Sequence, residues 1–252
     1  MGWLRPATIV GLLLTNLAGW AQTEPGRPAE PNRSLRPEMH PPVIYFPQAP
    51  RPGGWRKSIG AVFTTTPPEL TEEIRVQVPA IDFTLQRGLA KHWYAVGRLQ
   101  SQLVQNHLSF GVRWAIPLND RFYASVGNDV SGWAGALRIA NVFNSQAYGL
   151  QMYPNASVGY LLSRNLRLTL RSDVIVDLYS RLQVGTLATV RDRGELNGMA
   201  FAVVLEQPFY RNQPVLLGFR AAYSNFNWQF WSLYDTFDRH IFYPQVVFGF
   251  IL

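Results

Sequence analysis

The sequence predicts an all-β fold: a transmembrane, antiparallel up-and-down β-barrel of about ten strands. Three observations carry that expectation. The first is alternation. In the stretch HLSFGVRWAI, Leu108, Phe110, Val112, Trp114 and Ile116 interleave with His107, Ser109, Gly111, Arg113 and Ala115, the period of a strand whose side chains point to opposite faces. The second is composition. The chain of 252 residues is 47% hydrophobic and 13% aromatic but only 15% charged, well below the roughly one quarter charged of soluble domains. No segment after the N-terminus approaches the roughly 18 apolar residues of a spanning helix. The third is the rhythm of connections, short turns alternating with long loops, as in membrane barrels.

The elements follow in chain order. MGWLRPATIVGLLLTNLAGWAQ carries Arg5, an apolar run from Ala7 to Leu17 and a small-residue end, so residues 1–21 read as a cleaved secretory signal. Residues 22–54 are dense in proline and polar residues, which disfavours helix and sheet and predicts a Pro-rich disordered periplasmic segment. Its one apolar patch, Val43 to Phe46, is a candidate for docking on a protein partner or plugging a barrel. From 55 to 252 the expected strands are Trp55 to Thr65, Val78 to Gln86, His92 to Leu103, His107 to Ile116, Arg121 to Gly127, Gln151 to Leu162, Leu166 to Tyr179, Met199 to Glu206, Val215 to Ser224 and Ile241 to Leu252. RGLAK, PLND, SRN and QPFYRNQP are the short turns, assigned to the periplasmic side. The longer connections are assigned outside, and Ala134 to Phe143 within one of them is read as a short helix. VQN is an exception, a short connection on the outer side.

The strand LRLTLRSDVIVDLY decides which face is wet. Leu166, Leu168, Leu170, Val174, Val176 and Leu178 share one face; Arg167, Thr169, Arg171, Asp173, Asp177 and Tyr179 share the other. Burying four charges in a dry core costs several kcal/mol each unless they are paired, on the order of the penalties known for buried ions. Facing lipid would be worse. The apolar face therefore belongs on lipid and the charged face in a polar lumen. The same rule turns Asp82, Arg98, Gln100, Arg113, Glu206 and Arg220 inward. Five inward arginines against four inward carboxylates predict a lumen filled by ion pairs, with a wide selective pore disfavoured.

Trp55, Trp93 and Trp114 fall near expected periplasmic strand ends with Phe122 and Tyr160, while Trp133, Trp228 and Trp231 fall in outer connections. That is the placement of two membrane-interface aromatic belts. The terminus YPQVVFGFIL, with Phe248, Phe250 and Leu252 alternating to the last residue, resembles the assembly signal of small bacterial outer-membrane β-barrels, which usually ends in an aromatic where this chain has Leu252. Over residues 55–252 the pattern is similar to that class. The resemblance implies a Gram-negative cell-envelope location, outer-membrane lipid and lipopolysaccharide as surroundings, and barrel assembly machinery as a partner.

Composition narrows the chemistry. Cys is absent, so there is neither a disulfide framework nor a lipid-anchor cysteine. With Arg5 and the leader's single excess charge set aside, the formal +7 falls to +5. Those arginines are scattered, unlike the concentrated stripe of a nucleic-acid binder, and exposed ones suit anionic lipopolysaccharide. Two weak catalytic candidates remain. Asp238 and His240 resemble the Asp-x-His pair of omptin proteases, with Asp235 or Asp129 as an opposing carboxylate. His107 and Ser109 share a face as a lipid A deacylase would hold base and nucleophile, but no residue to orient the histidine is apparent. His40 and His92 have no ligand cluster, so no metal or cofactor is expected. The expectation is a non-enzymatic envelope barrel with a salt-bridged lumen and long surface loops; the alternatives are a barrel enzyme or a narrow channel.

Overall fold

The computed structural model describes residues 42–69, 77–139, 143–184, 187–191, 194–209, 213–232 and 239–252. Residues 1–21, expected as a signal, and residues 22–41 of the expected leader lie outside them. Among the described residues eleven strands run in chain order: β1 (Trp55–Thr65), β2 (Gln77–Gly88), β3 (Trp93–Gln102), β4 (Gln105–Pro117), β5 (Phe122–Ile139), β6 (Phe143–Leu161), β7 (Arg167–Val184), β8 (Leu187–Arg191), β9 (Glu195–Pro208), β10 (Pro214–Ser224) and β11 (Ile241–Ile251). Sequential neighbours pair antiparallel from β1 to β7, then β7 with β9, β9 with β10 and β10 with β11. β1 pairs with β11 from Ser58↔Ile251 to Thr64↔Gln245, which closes the ring. β8 pairs only with the far end of β7, over Ser180 to Val184. The wall is thus a closed antiparallel barrel of ten strands, with β8 as a side ribbon.

Closure answers the demand that every backbone N–H and C=O be paired where water is excluded. It also explains the tolerance of Pro244 within β11. The β1–β11 ladder ends at Gln245, so Pro244, paired with Ala221 of β10, lies one residue beyond it, and its missing donor interrupts no bond to β1.

The faces sort by environment. Ile81, Phe110, Leu170, Phe201, Phe219 and Val246, from six different strands, are exposed. Between them Asp82, Arg113, Arg167, Asp173 and Glu206 are buried. Such a wall is stable only against hydrocarbon, with the charges turned to a confined polar interior.

Three expectations require correction. Within the expected helix from Ala134 to Phe143, the described residues are strand: residues to Ile139 continue β5, and Phe143 opens β6, in register with Ile139. Small residues at Gly132, Ala134, Gly135 and Ala136 blur the alternation, yet the ladder continues because each strand satisfies the other's backbone. The neighbouring long connection is mostly strand as well, with β7 running to Val184 and β9 starting at Glu195. Lastly, residues 42–54 are not disordered. Residues 43–50 are packed within the barrel, with Val43, Ile44 and Phe46 at most 2% exposed. An apolar tetrapeptide among prolines finds a fixed place once a matching interior exists, which composition alone does not reveal.

Candidate functional site

The lumen is the site, and two inserts from the chain itself occupy it. One end of the barrel carries the short turns and both Trp55 and the C-terminus; the other carries the longer connections. At the turn end the segment 42–50, bent over residues 44–47, runs inside the wall. The carboxylate of Glu206, near the end of β9, accepts backbone N–H bonds from three consecutive residues, Ile44 at 2.6 Å, Tyr45 at 3.0 Å and Phe46 at 2.8 Å. Gln86 donates to the Ile44 carbonyl at 2.5 Å and Arg56 to the Gln48 carbonyl at 2.6 Å. Phe46 meets the Tyr123 ring at 5.0 Å and lies 5.9 Å beneath the Arg167 guanidinium. The segment enters past a bridge between Pro52 and Gly88.

At the other end the β10–β11 connection turns inward as a short 3-10 helix, Trp228–Phe230, whose N-cap Asn227 accepts from the Gln229 N–H at 3.0 Å. This insert is held chiefly by rings. Trp231 is 1% exposed and lies where a side chain at Gly135 would overlap it. Phe230 stacks on Tyr243 at 5.7 Å, and Phe226 meets Trp133 at 5.2 Å. Gln229 fastens it to the wall, accepting from Thr64 at 2.6 Å and Gln245 at 3.0 Å through its side chain and from Gln105 at 2.7 Å through its carbonyl. Trp228 and Trp231, expected at the outer membrane interface, are therefore inside the barrel. A ring near a strand end suits a headgroup belt or a lumen cap equally, and the connection's inward turn decides between them. Trp133 is likewise buried.

Between the inserts lies a chamber of about 80 Å³, floored by Ile44 and Tyr45 and roofed by Phe226 to Gln229. Ion pairs cross its wall. Arg98 holds Asp82 through two bonds, at 2.7 and 3.0 Å. Arg113 reaches Asp129 at 2.8 Å and Arg171 reaches the same oxygen at 3.0 Å. Arg171 also holds Asp173 at 2.6 Å, while Arg220 stands 3.8 Å from Asp173. The cross-strand partners of Asp129 and Arg113 are Gly111 and Gly127; a side chain at either glycine would collide with the ion pair, so each leaves the space that the opposite charged residue leans across.

Asp129 is the network member that the sequence reading missed as such. It follows the expected strand's end at Gly127, but β5 continues through it. Asp177 accepts amide bonds from Gln151 and Asn197, at 2.6 and 2.8 Å, and Glu206 is used by the insert. Arg167 lies over the Phe46 ring, 5.9 Å from its centroid. The aromatics at the turn end face outward: Trp55, Trp93, Trp114 and Phe122 are exposed, Trp93 stacks on Trp114 at 6.2 Å, Phe122 meets Tyr160 at 4.6 Å and Arg87 covers Trp55 at 5.1 Å. Phe248, Phe250 and Leu252 are exposed on the same outer surface.

The catalytic candidates are separated. His107 and Ser109 are both buried in the lumen, but neither ring nitrogen of His107 has a hydrogen-bond partner, so no base–nucleophile bond links them. His107 instead stacks on Trp228 at 4.9 Å. His240 is exposed and stacks on Tyr223 at 5.2 Å; Asp238 and Asp235 lie outside the described residues. Among the described residues no three His, Asp or Glu side chains gather as metal ligands.

A closed wall of ten strands, apolar outside and charged within, is the fold of small bacterial outer-membrane β-barrels. Solved structures similar to it include Neisserial surface protein A, at 8% identity over 79% of this chain and 96% of that chain with a TM-score of 0.36. The translocator domain of the autotransporter NalP from Neisseria meningitidis matches at 9% identity over 79% of this chain and 88% of that one, with a TM-score of 0.37. The NanC porin matches at 10% identity over 78% and 98%, with a TM-score of 0.37. No protein-family model matches the sequence, and no curated protein matches it.

Proposed function

We propose that this protein is a plugged envelope barrel that acts through its outer surface and does not conduct at rest. One observation carries the reading: the chain's own segments occupy the lumen from both ends, leaving a chamber of about 80 Å³ between them. A barrel whose interior is spanned by ion pairs and filled by inserts gains a rigid wall at the expense of a passage. In this reading the turn end faces the periplasm, and Trp55, Trp93, Trp114, Phe122 and Tyr160 sit at its lipid boundary. The outer end presents the extended β5–β6 and β7–β8 ribbons. Exposed Arg138 and Arg239, with the half-buried Arg181, lie toward that end, a charge pattern suited to the phosphates of lipopolysaccharide. Phe248, Phe250 and Leu252 serve assembly into the membrane.

The test is single-channel recording on the refolded full chain in planar bilayers, paired with lipopolysaccharide co-sedimentation. The expected result is no steady conductance, and lipopolysaccharide binding that weakens when Arg138, Arg181 and Arg239 are together replaced by Gln. Steady open conductance of the unaltered protein would overturn the plugged reading.

A further inference from the structure

The chamber between the inserts has more positive than negative charge. Arg98, Arg113, Arg171 and Arg220 line it. Against these four stand Asp129 and Asp173 in the lining and Asp82, which is bound to Arg98. Asp177, four residues along β7 from Asp173, is engaged with the amides of Gln151 and Asn197 beneath the upper insert. Arg220 is the most weakly paired of the four guanidinium groups. Its nearest carboxylate oxygen is 3.8 Å away on Asp173, which Arg171 already holds at 2.6 Å, and its short bond, 2.8 Å, goes to the neutral Gln245 oxygen.

Hydrogen-bond capacity in the chamber is unfilled. Four groups lining it have donors but no partner, Arg113 Nε, Gln229 Nε2, Thr84 Oγ1 and the Tyr45 hydroxyl, and Asp129 Oδ1, Gln86 Oε1 and the His107 ring nitrogens are unpartnered there as well. Arg113, Gln229 and Thr84 are all more than nine-tenths buried. Unpartnered buried donors beside a weakly paired guanidinium are costly, and an anion relieves both at once. With about 30 Å³ per water, the space holds roughly two to three waters, or one halide-sized ion with its remaining hydration.

We propose that this chamber binds a single small monovalent inorganic anion of about the size of chloride, with Arg220 as its principal charge partner. The anion neutralises the network and ties Tyr45, in the lower insert, to Gln229, in the upper one. Occupancy therefore stabilises both inserts together.

The experiment refolds the full-length protein in detergent with sodium chloride, or with sodium gluconate at equal ionic strength, and compares thermal unfolding midpoints. Gluconate is too large for the chamber, so general screening is matched while site binding is not. The expected result is a saturable rise of the midpoint in chloride over gluconate. Arg220→Gln should weaken the half-saturating chloride concentration by about tenfold or more, as expected for losing one charge-assisted hydrogen bond. Gln245→Glu, which supplies a carboxylate to Arg220 without removing it, should have the same effect and covers the case in which Arg220→Gln fails to fold. Equal midpoints in the two salts for the unaltered protein would show a chamber filled by water alone and overturn the proposal. A chloride response retained in Gln245→Glu would also overturn it.

Discussion

The two inserts solve one problem with opposite chemistry. The lower one, residues 42–50, is a bent chain whose backbone is fixed by one carboxylate, Glu206, one amide, Gln86, and the Arg56 guanidinium. The upper one is a compact turn fixed by the burial of Trp228, Phe230 and Trp231. Their attachment differs as well. The upper insert is bounded on both sides by wall strands, β10 and β11, whereas the lower one joins the wall through residues 51–54 ahead of β1. Directional bonds to a single group are lost together when that group changes; ring packing is spread over many contacts. The lower insert is thus the one built to be released by a local change, and the upper one is part of the barrel's stability.

Substitutions separate these roles. The largest effect is expected from Trp231→Ala, which removes a fully buried ring beside Gly135; about 3–5 kcal/mol of stability should go, by analogy with buried Trp truncations. Urea unfolding of the refolded barrel measures it, and conductance should stay absent because the connection remains tethered at both ends. Glu206→Ala comes next. Three buried N–H groups lose their acceptor, and the local cost of about 1–3 kcal/mol for each unsatisfied group favours departure of the insert. Hydrogen exchange should accelerate at residues 44–46 and planar bilayers should show intermittent conductance, while the unfolding midpoint moves less than for Trp231→Ala. An unchanged exchange rate at these residues would erase the contrast between the inserts. Gln86→Leu removes a single bond to the Ile44 carbonyl, so its effect on the same exchange should be smaller, about 1 kcal/mol. The smallest change belongs to Trp93→Ala, on the outer wall. Loss of its stacking on Trp114, worth about 0.5–1.5 kcal/mol, should lower stability slightly and leave exchange in both inserts as it was.

Much of the wall was legible because a membrane barrel imposes period two on every strand. β1 was expected at Trp55 to Thr65 and is found there, and the expected strands elsewhere correspond to the ten of the wall. Legibility failed where the pattern weakened. In β5 the glycines and alanines from Gly132 to Ala136 lack the contrast that marks a face, so Asp129, in the same unread half of the strand, was missed as the shared partner of Arg113 and Arg171. The aromatic assignments failed for a different reason. Trp93 opens β3 and projects to the outside, whereas Trp231 belongs to the β10–β11 connection, which folds back into the barrel. The charged lumen residues could be assigned a face from alternation, but not a partner, because pairing depends on the stagger between strands remote in sequence.

From the residues alone came the strand period, the oily side and the ionised side, since those follow from adjacent positions along one chain. Which carboxylate meets which arginine, and that Val43 to Phe46 come to rest on Glu206, were decided only by the folded barrel. Glu206 is 160 residues from Phe46 along the chain, and a bond at that separation exists only after closure of the ring has brought β9 beside the path of the N-terminal segment.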